Sequence, residues 1–279
     1  MTTIDDIRSA VERAVEAARR EKPLAGSVTN GVTMDFVANA QLAVGGSAAM
    51  VYLPDEGEFL VEAGGAVYVN MGTLLPVYEK TLPAVARRAS ATGTPWVLDP
   101  VGIGIGSMRT SILLQFKECA PAIIRGNASE IIALAGLWDL EGDAAEMGRV
   151  RGVDTTDPVA AARCAAVALA RWTGGAVAVS GEEDLVTDGS VVVYVRGGSP
   201  LMEKVTGFGC SLGGVMAVYA AVADPLAAAL AGAAHYNIAG LRAGQAASAP
   251  ASFKSAFIDE LFLLSAADVA SCDMRLEEA

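Results

Sequence analysis

The stretch KVTGFGCSLGGVMAVYAA, Lys204–Ala221, reads as a glycine-rich turn feeding the first turn of an apolar helix. Gly207 and Gly209 allow close backbone approach, and the N–H groups that open a helix are unpaired donors at its positive end. The stretch therefore makes an anion hole. No Lys follows the glycines, so it is not a G-x-x-x-x-G-K-[ST] loop, and it lies too late in the chain for a dinucleotide fingerprint. At its hinge stands Cys210. A thiol at a helix N-terminus is lowered from its usual value of about 8.5, and a neighbouring phosphate opposes that gain. The competing reading of Cys210 is a small packing residue. No charge occurs from Val205 to Ala223. The helix is expected to begin near Ser211, however, which leaves too few residues before Asp224 and Pro225 to cross a bilayer.

Outward from this stretch the chain alternates between short apolar runs and Ala-rich helical ones. SAAMVYL, GAVYVNMG, PWVLDPVG, PAIIRGN and GAVAVSG read as strands. Helices are expected at Tyr78–Ala91, Thr110–Cys119, from Ala128, and at Pro158–Trp172. Asp188-Gly189 marks a two-residue hairpin. The N-terminal segment, about residues 1–20, carries Ile4, Ile7, Val11 and Val15 at helical spacing and is an amphipathic helix, not a signal peptide. Apolar strands separated by helices give an α/β fold with a mostly parallel central sheet flanked by helices. No linker or repeat interrupts the 279 residues, so residues 1–279 read as one domain.

Ligands of such a sheet bind at the carboxyl ends of its strands. Asp99 stands where VLDPVG stops, as a partner for a magnesium ion or as a plain Asp-Pro turn. Arg125, after two isoleucines, is poorly placed for solvation and suits a phosphate or carboxylate. Asn127 and Glu130 have the spacing of a reciprocal helix cap. The functional reading instead turns Glu130 toward a metal–phosphate site, and both readings stay open. Ser180-Gly181 offers a hydroxyl and exposed backbone beside the hairpin.

A net charge of −12 argues against nucleic acid or an anionic membrane as partner. The four cysteines, Cys119, Cys164, Cys210 and Cys272, are far apart, which suits a reducing cytoplasm. His235, the single histidine, lies in the apolar run AAHYNIAG and reads as a buried helix residue.

In combination, SVTNGVTMDFVANAQLAVGGSAAM, RGNASE and TGFGC resemble the hydroxyethylthiazole kinase family of thiamine biosynthesis. The resemblance covers nearly all of the chain beyond the first helix. It implies a ribokinase-like fold without a separate lid domain and an ATP-dependent kinase of the primary alcohol of hydroxyethylthiazole. It implies that Asn30, Val32 and Met50 line the thiazole pocket, with Gly207 contacting substrate in the anion hole. Arg125 and Ser180 then contact ATP beside Gly209, Asp99 and Glu130 face Mg2+, and Cys210 occupies the catalytic position. It also implies a homotrimer with pockets at subunit interfaces. A kinase of another small alcohol and a non-catalytic ligand-binding trimer are the competing readings. The sequence departs from the family pattern most at Phe208, where a small residue is common.

Overall fold

The computed structural model describes residues 2–140 and 158–279. A nine-stranded sheet runs through it in the order β2-β1-β3-β4-β5-β6-β7-β8-β9. The strands are β1 (Leu24–Val28), β2 (Ser47–Met50), β3 (Ala66–Asn70), β4 (Trp96–Asp99), β5 (Ile123–Asn127), β6 (Ala176–Ser180), β7 (Glu183–Thr187), β8 (Val191–Arg196) and β9 (Asp273–Glu278). Strands β1 to β6 are mutually parallel. The last three add antiparallel pairs. The β7–β8 connection is three residues, Asp188, Gly189 and Ser190, not the two-residue hairpin expected from Asp-Gly, and only Gly189 (φ +86°) takes the left-handed conformation.

Successive strand residues face opposite layers, and both layers are apolar, which is why the central strands read as continuous hydrophobic runs. On one face pack α1 (Ile4–Glu21), α2 (Met34–Ala43), α8 (Phe208–Ala220), α9 (Pro225–Ala246), α10 (Pro250–Leu263) and α11 (Ala266–Ala270). On the other lie α3 (Pro54–Ala63), α4 (Tyr78–Thr92), α5 (Ser107–Phe116), α6 (Ala128–Leu137) and α7 (Pro158–Thr173). Tyr68 and Val97 point into the first layer, Val67, Trp96 and Leu98 into the second. Each fully buried Leu, Val or Phe contributes about 1.5–3 kcal/mol.

Three local details differ from the sequence reading. Helix α8 begins at Phe208, not near Ser211, because Gly207 (φ +98°) makes the break and Ser211 N–H already donates to Gly207 O (2.8 Å). Helix α5 ends at Phe116, and a 3-10 turn covers Lys117–Cys119. The strand in SAAMVYL stops at Met50. Strands β1 and β9 carry too few large apolar residues to stand out in the sequence: β1 is LAGSV and β9 is DMRLEE.

His235 is fully buried in α9. Leu261 O can only accept, so His235 Nε2 carries the proton it donates there (3.0 Å), and Nδ1 accepts from the Tyr219 hydroxyl (2.6 Å). Burial pushes the imidazole down to about 3, so it is neutral. The bland reading of this histidine holds.

Candidate active site

The parallel strands β1, β3, β4, β5 and β6 are neighbours in that order, and their carboxyl ends lie along one edge of the sheet. Each supplies a polar side chain. Asn30 follows β1, Asn70 and Asp99 close β3 and β4 as register partners, Arg125 lies in β5, and Ser180 closes β6. These side chains form one hydrogen-bonded row. Asn30 Nδ2 donates to Cys210 Sγ (3.5 Å) and to Asn70 Oδ1 (2.9 Å). Asn70 Nδ2 donates to Asp99 Oδ2 (3.0 Å) and to Tyr68 Oη (2.8 Å), and Tyr68 Oη donates to the same carboxylate oxygen (2.9 Å). Arg125 pairs with Asp99 (3.3 Å) and reaches Ser180 Oγ (3.1 Å).

Helix α8 comes down on this row with its N-terminus. The N–H groups of Phe208, Gly209 and Cys210 precede its first helical hydrogen bond, so they are free to meet an anion. Two glycines let it come close. A Cβ on Gly209 would lie 2.5 Å from the Arg125 guanidinium, and one on Gly213 would lie 2.4 Å from the Tyr68 ring. Gly207 would collide with Thr33 at 2.8 Å. Phe208 stays clear of this approach. Its ring sits in an aromatic cluster with Phe36 (5.0 Å between centroids), Phe257 (4.6 Å) and Phe253 (5.6 Å).

The charges are strongly coupled. Burial pushes the Asp99 carboxyl up and Glu130 adds to that, while the Arg125 guanidinium and the Tyr68 hydrogen bond oppose it. Burial disfavours the Arg125 cation, yet Asp99, Tyr68 and Glu130 hold it above its ordinary value. The Cys210 thiol is pushed up by burial and by Asp99, against Arg125, Thr33 and Asn70. The lowered thiol expected of a helix N-terminus is therefore reversed, and Cys210 is a neutral S–H.

Glu130 does one predicted job outright. Its Oε2 accepts from Asn127 N–H (2.9 Å), and Asn127 Oδ1 accepts from Glu130 N–H (2.9 Å), a complete capping box. Its other oxygen reaches Gly102 N–H at 3.4 Å, in the loop after Asp99. Among the described residues no group of three or more His, Cys, Asp or Glu side chains forms a metal cage. Mg2+ needs only one or two carboxylates plus water. Asp99 Oδ1, whose nearest donor is Arg125 at 3.4 Å, and Glu130 Oε1 each keep spare acceptor capacity.

Beyond Ser180 the row opens into a cleft of about 600 Å³ lined by Arg125, Gly209, Asp184, Tyr236 and Asn237. Asp184 accepts from Gly181 N–H (3.0 Å) and from Asn237 Nδ2 (2.9 Å). Burial pushes it up to about 6 against those two bonds. Arg125 Nε is buried and makes no hydrogen bond within the chain. Such a group costs free energy unless a ligand or water meets it.

Of the predicted site residues, Asn30, Asp99, Arg125, Ser180, Gly209 and Cys210 meet in the row, with Gly207 at its mouth. Val32 and Met50 stand apart. Val32 is 65% exposed, and Met50 is half-buried at the end of edge strand β2. Tyr68, Asn70 and Thr33 escaped the sequence reading. The one signal was an Asn where the run GAVYVN stops.

The hydroxyethylthiazole kinase family model matches residues 15–267. The chain belongs to the hydroxyethylthiazole kinase family. A hydroxyethylthiazole kinase of Bifidobacterium longum (strain DJO10A) is 48% identical over 289 residues, covering 97% of this chain and 92% of the relative. One from Cereibacter sphaeroides (strain ATCC 17029 / ATH 2.4.9) is 45% identical over 252 residues, covering 90% and 92%. The solved hydroxyethylthiazole kinase structure from Pyrococcus horikoshii OT3 superposes with TM-score 0.84 at 29% identity, over 97% of this chain and all of that one. A pyridoxal kinase of Staphylococcus aureus, solved with ADP, shares the fold at TM-score 0.55 and 14% identity, over 78% and 87%. The family's ribokinase-like fold is thus the fold described above. No helix among the described residues is long and apolar enough to cross a membrane.

Proposed function

We propose that this chain is the ATP-dependent kinase of the primary alcohol of 4-methyl-5-(2-hydroxyethyl)thiazole, acting in thiamine biosynthesis or salvage. One observation carries the reading: the free N–H groups of Phe208, Gly209 and Cys210 lie over Arg125, between a thiol-and-amide side and a 600 Å³ cleft. A phosphoryl group passing between two ligands needs charge stabilisation at the point of transfer. The helix mouth and the Arg125 guanidinium packed against it supply it together. ATP occupies the cleft, with Arg125, Ser180 and Gly209 on its phosphates and Tyr236 in the cleft wall. The alcohol lies against Asn30, Val32, Met50 and Gly207.

Cys210 sits where the alcohol must meet the phosphate. Phosphoryl transfer passes through a loose transition state that asks little base strength early. A neutral thiol orients the alcohol as a hydrogen-bond partner, and Asn30 Nδ2 fixes the sulfur from behind. Asp99 and Glu130 would hold Mg2+, which would supply charge neutralisation at the phosphates. Asp99 also anchors Arg125, and Glu130 also caps α6.

Residues 1–279 act as a single domain, in the cytoplasm, with all four cysteines as free thiols. The chain assembles as a trimer with its pockets between subunits. Val32 (65% exposed), Leu53 (47%) and Tyr52 (37%) support this, since a thiazole pocket that includes Val32 needs a second surface to close it. Light scattering is expected to give three chains; a fully active monomer overturns the assembly. ADP release measured against a panel of small alcohols tests the reaction. Hydroxyethylthiazole is expected to give the highest kcat/KM, and preference for another alcohol reassigns the substrate.

A further inference from the structure

The row of side chains has a joint. Cys210 and Asn30 lie on its alcohol side; Asp99, Arg125 and Ser180 lie on its nucleotide side. Asn70 bonds to both. Its amide direction is settled by its neighbours. Gly72 N–H donates to Asn70 Oδ1 at 2.8 Å, so that oxygen must face Gly72 and Asn30. Nδ2 is then turned toward Asp99 and Tyr68. The same logic fixes Asn30, whose Oδ1 accepts from Val32 N–H (3.1 Å) and Thr33 N–H (3.2 Å), leaving Nδ2 for Asn70 and Cys210. Neither amide can flip without losing backbone bonds.

This direction has two consequences. On one side Asn70 Oδ1 holds the Asn30 NH2 against the Cys210 sulfur. On the other, Asp99 Oδ2 collects the Tyr68 and Asn70 donors and the nearer Arg125 contact (3.3 Å), while Oδ1 has only Arg125 at 3.4 Å and keeps capacity to spare. Asn70 is itself fully buried and closes β3 in register with Asp99. A side chain held by four hydrogen bonds at the end of a central strand has very little freedom.

We infer that Asn70 is a positioning residue for the transfer: it sets the distance and orientation between the alcohol-side thiol and the nucleotide-side carboxylate. It touches neither ligand. The inference rests on the kinase reading above. Errors near 1 Å in such an alignment cost about 100-fold in rate, while ground-state contacts with either ligand are unchanged.

The test is steady-state kinetics with thermal melts on Asn70→Ala, Asn70→Asp and Tyr68→Phe. Asn70→Ala is expected to lower kcat by about 10- to 100-fold, with KM for alcohol and for ATP within about 3-fold of wild type. Asn70→Asp keeps the acceptor for Asn30 and Gly72 but loses the donor to Asp99, and kcat is expected to fall at least as far. Tyr68→Phe removes one of the three side-chain donors to Asp99 and leaves the bridge, so a loss under about 3-fold is expected. A folded Asn70→Ala or Asn70→Asp enzyme with wild-type kcat overturns the inference. So does a rise in KM at constant kcat, or a Tyr68→Phe loss as large as that of Asn70→Ala. If Asn70→Ala does not fold, the near-isosteric Asn70→Asp decides alone. Wild-type enzyme that releases no ADP with any alcohol sinks the kinase reading instead, so the two failures are distinguishable.

Discussion

Two buried polar clusters lie on the same side of the sheet, and they are finished differently. Around His235 every polar atom is spoken for: Tyr219 donates to one ring nitrogen and Leu261 O accepts from the other. At the strand ends the row from Cys210 to Ser180 is equally dense, yet the buried Arg125 Nε within it makes no bond within the chain. A closed network builds the fold. An open one, at a helix mouth beside a cleft, is built for something that arrives. The contrast separates two buried, strongly shifted sites that a list of perturbed groups would rank alike.

The largest effect that can break this comparison is at the ion pair. Arg125→Met leaves Asp99 buried without its cation, and a loss of about 3–5 kcal/mol in unfolding free energy is expected. Adding Asp99→Asn should restore most of that stability while turnover stays abolished. Urea melts and ADP release on the single and double variants check it, and a double variant that works would place the pair in folding alone.

Next comes the thiol. Cys210→Ala is expected to lower kcat by about 10- to 100-fold with little change in melting temperature. Cys210→Asp keeps an acceptor but sets a second carboxylate near Asp99, whose own carboxyl is already pushed up by burial and Glu130. Its activity is expected to rise with added Mg2+. An Ala variant as fast as wild type reduces Cys210 to packing.

The closed cluster has its own signature, in pH. His235 titrates at about 3 in the fold, below its unfolded value of about 6.5. The unfolded chain therefore binds the extra proton between those values, and stability falls as pH falls. The contribution is about 2 kcal/mol between pH 7 and pH 5. Asp184 works the other way. Its folded value of about 6 exceeds the unfolded one, so the stability it contributes is present in acid and is lost as pH rises through 6. His235→Gln should flatten the acid limb of the melting profile. A profile that keeps its slope would mean the ring is not the titrating group.

The smallest effect sharpens a single residue. Glu130→Gln should cost at most about 1 kcal/mol of stability, because Gln still accepts in a capping box. The Mg2+ concentration for half-maximal activity should rise several-fold. Unchanged metal dependence assigns Glu130 to the cap.

These residues also show how far a sequence can be read. Gly207, Gly209 and Cys210 are legible because a helix mouth needs glycines and no side chain from elsewhere. Arg125 is legible because a cation after two isoleucines must have a partner. The capping box at Asn127 and Glu130 is local and appears as spaced. Asn70 is not legible, since its partner Asp99 lies on β4 and its partner Asn30 in the loop after β1, and only the β3–β4 register sets it opposite Asp99. The thiol was misjudged for the same reason. The helix end is local information, whereas the burial and the carboxylate that outweigh it come from the assembled sheet. Strands β1 and β9 were missed because their residues are small or charged and take their order from pairing.

Gly209 and Gly213 lie one helical turn apart on the face of α8 that meets Arg125 and Tyr68. The depth of the reaction chamber is therefore set by two methyl groups that are not there. A single added carbon at either position would lift the helix like a shim under a hinge, and the anion hole would part from the arginine beneath it with every catalytic side chain still in place. A survey of damaging substitutions confined to polar residues would overlook both positions.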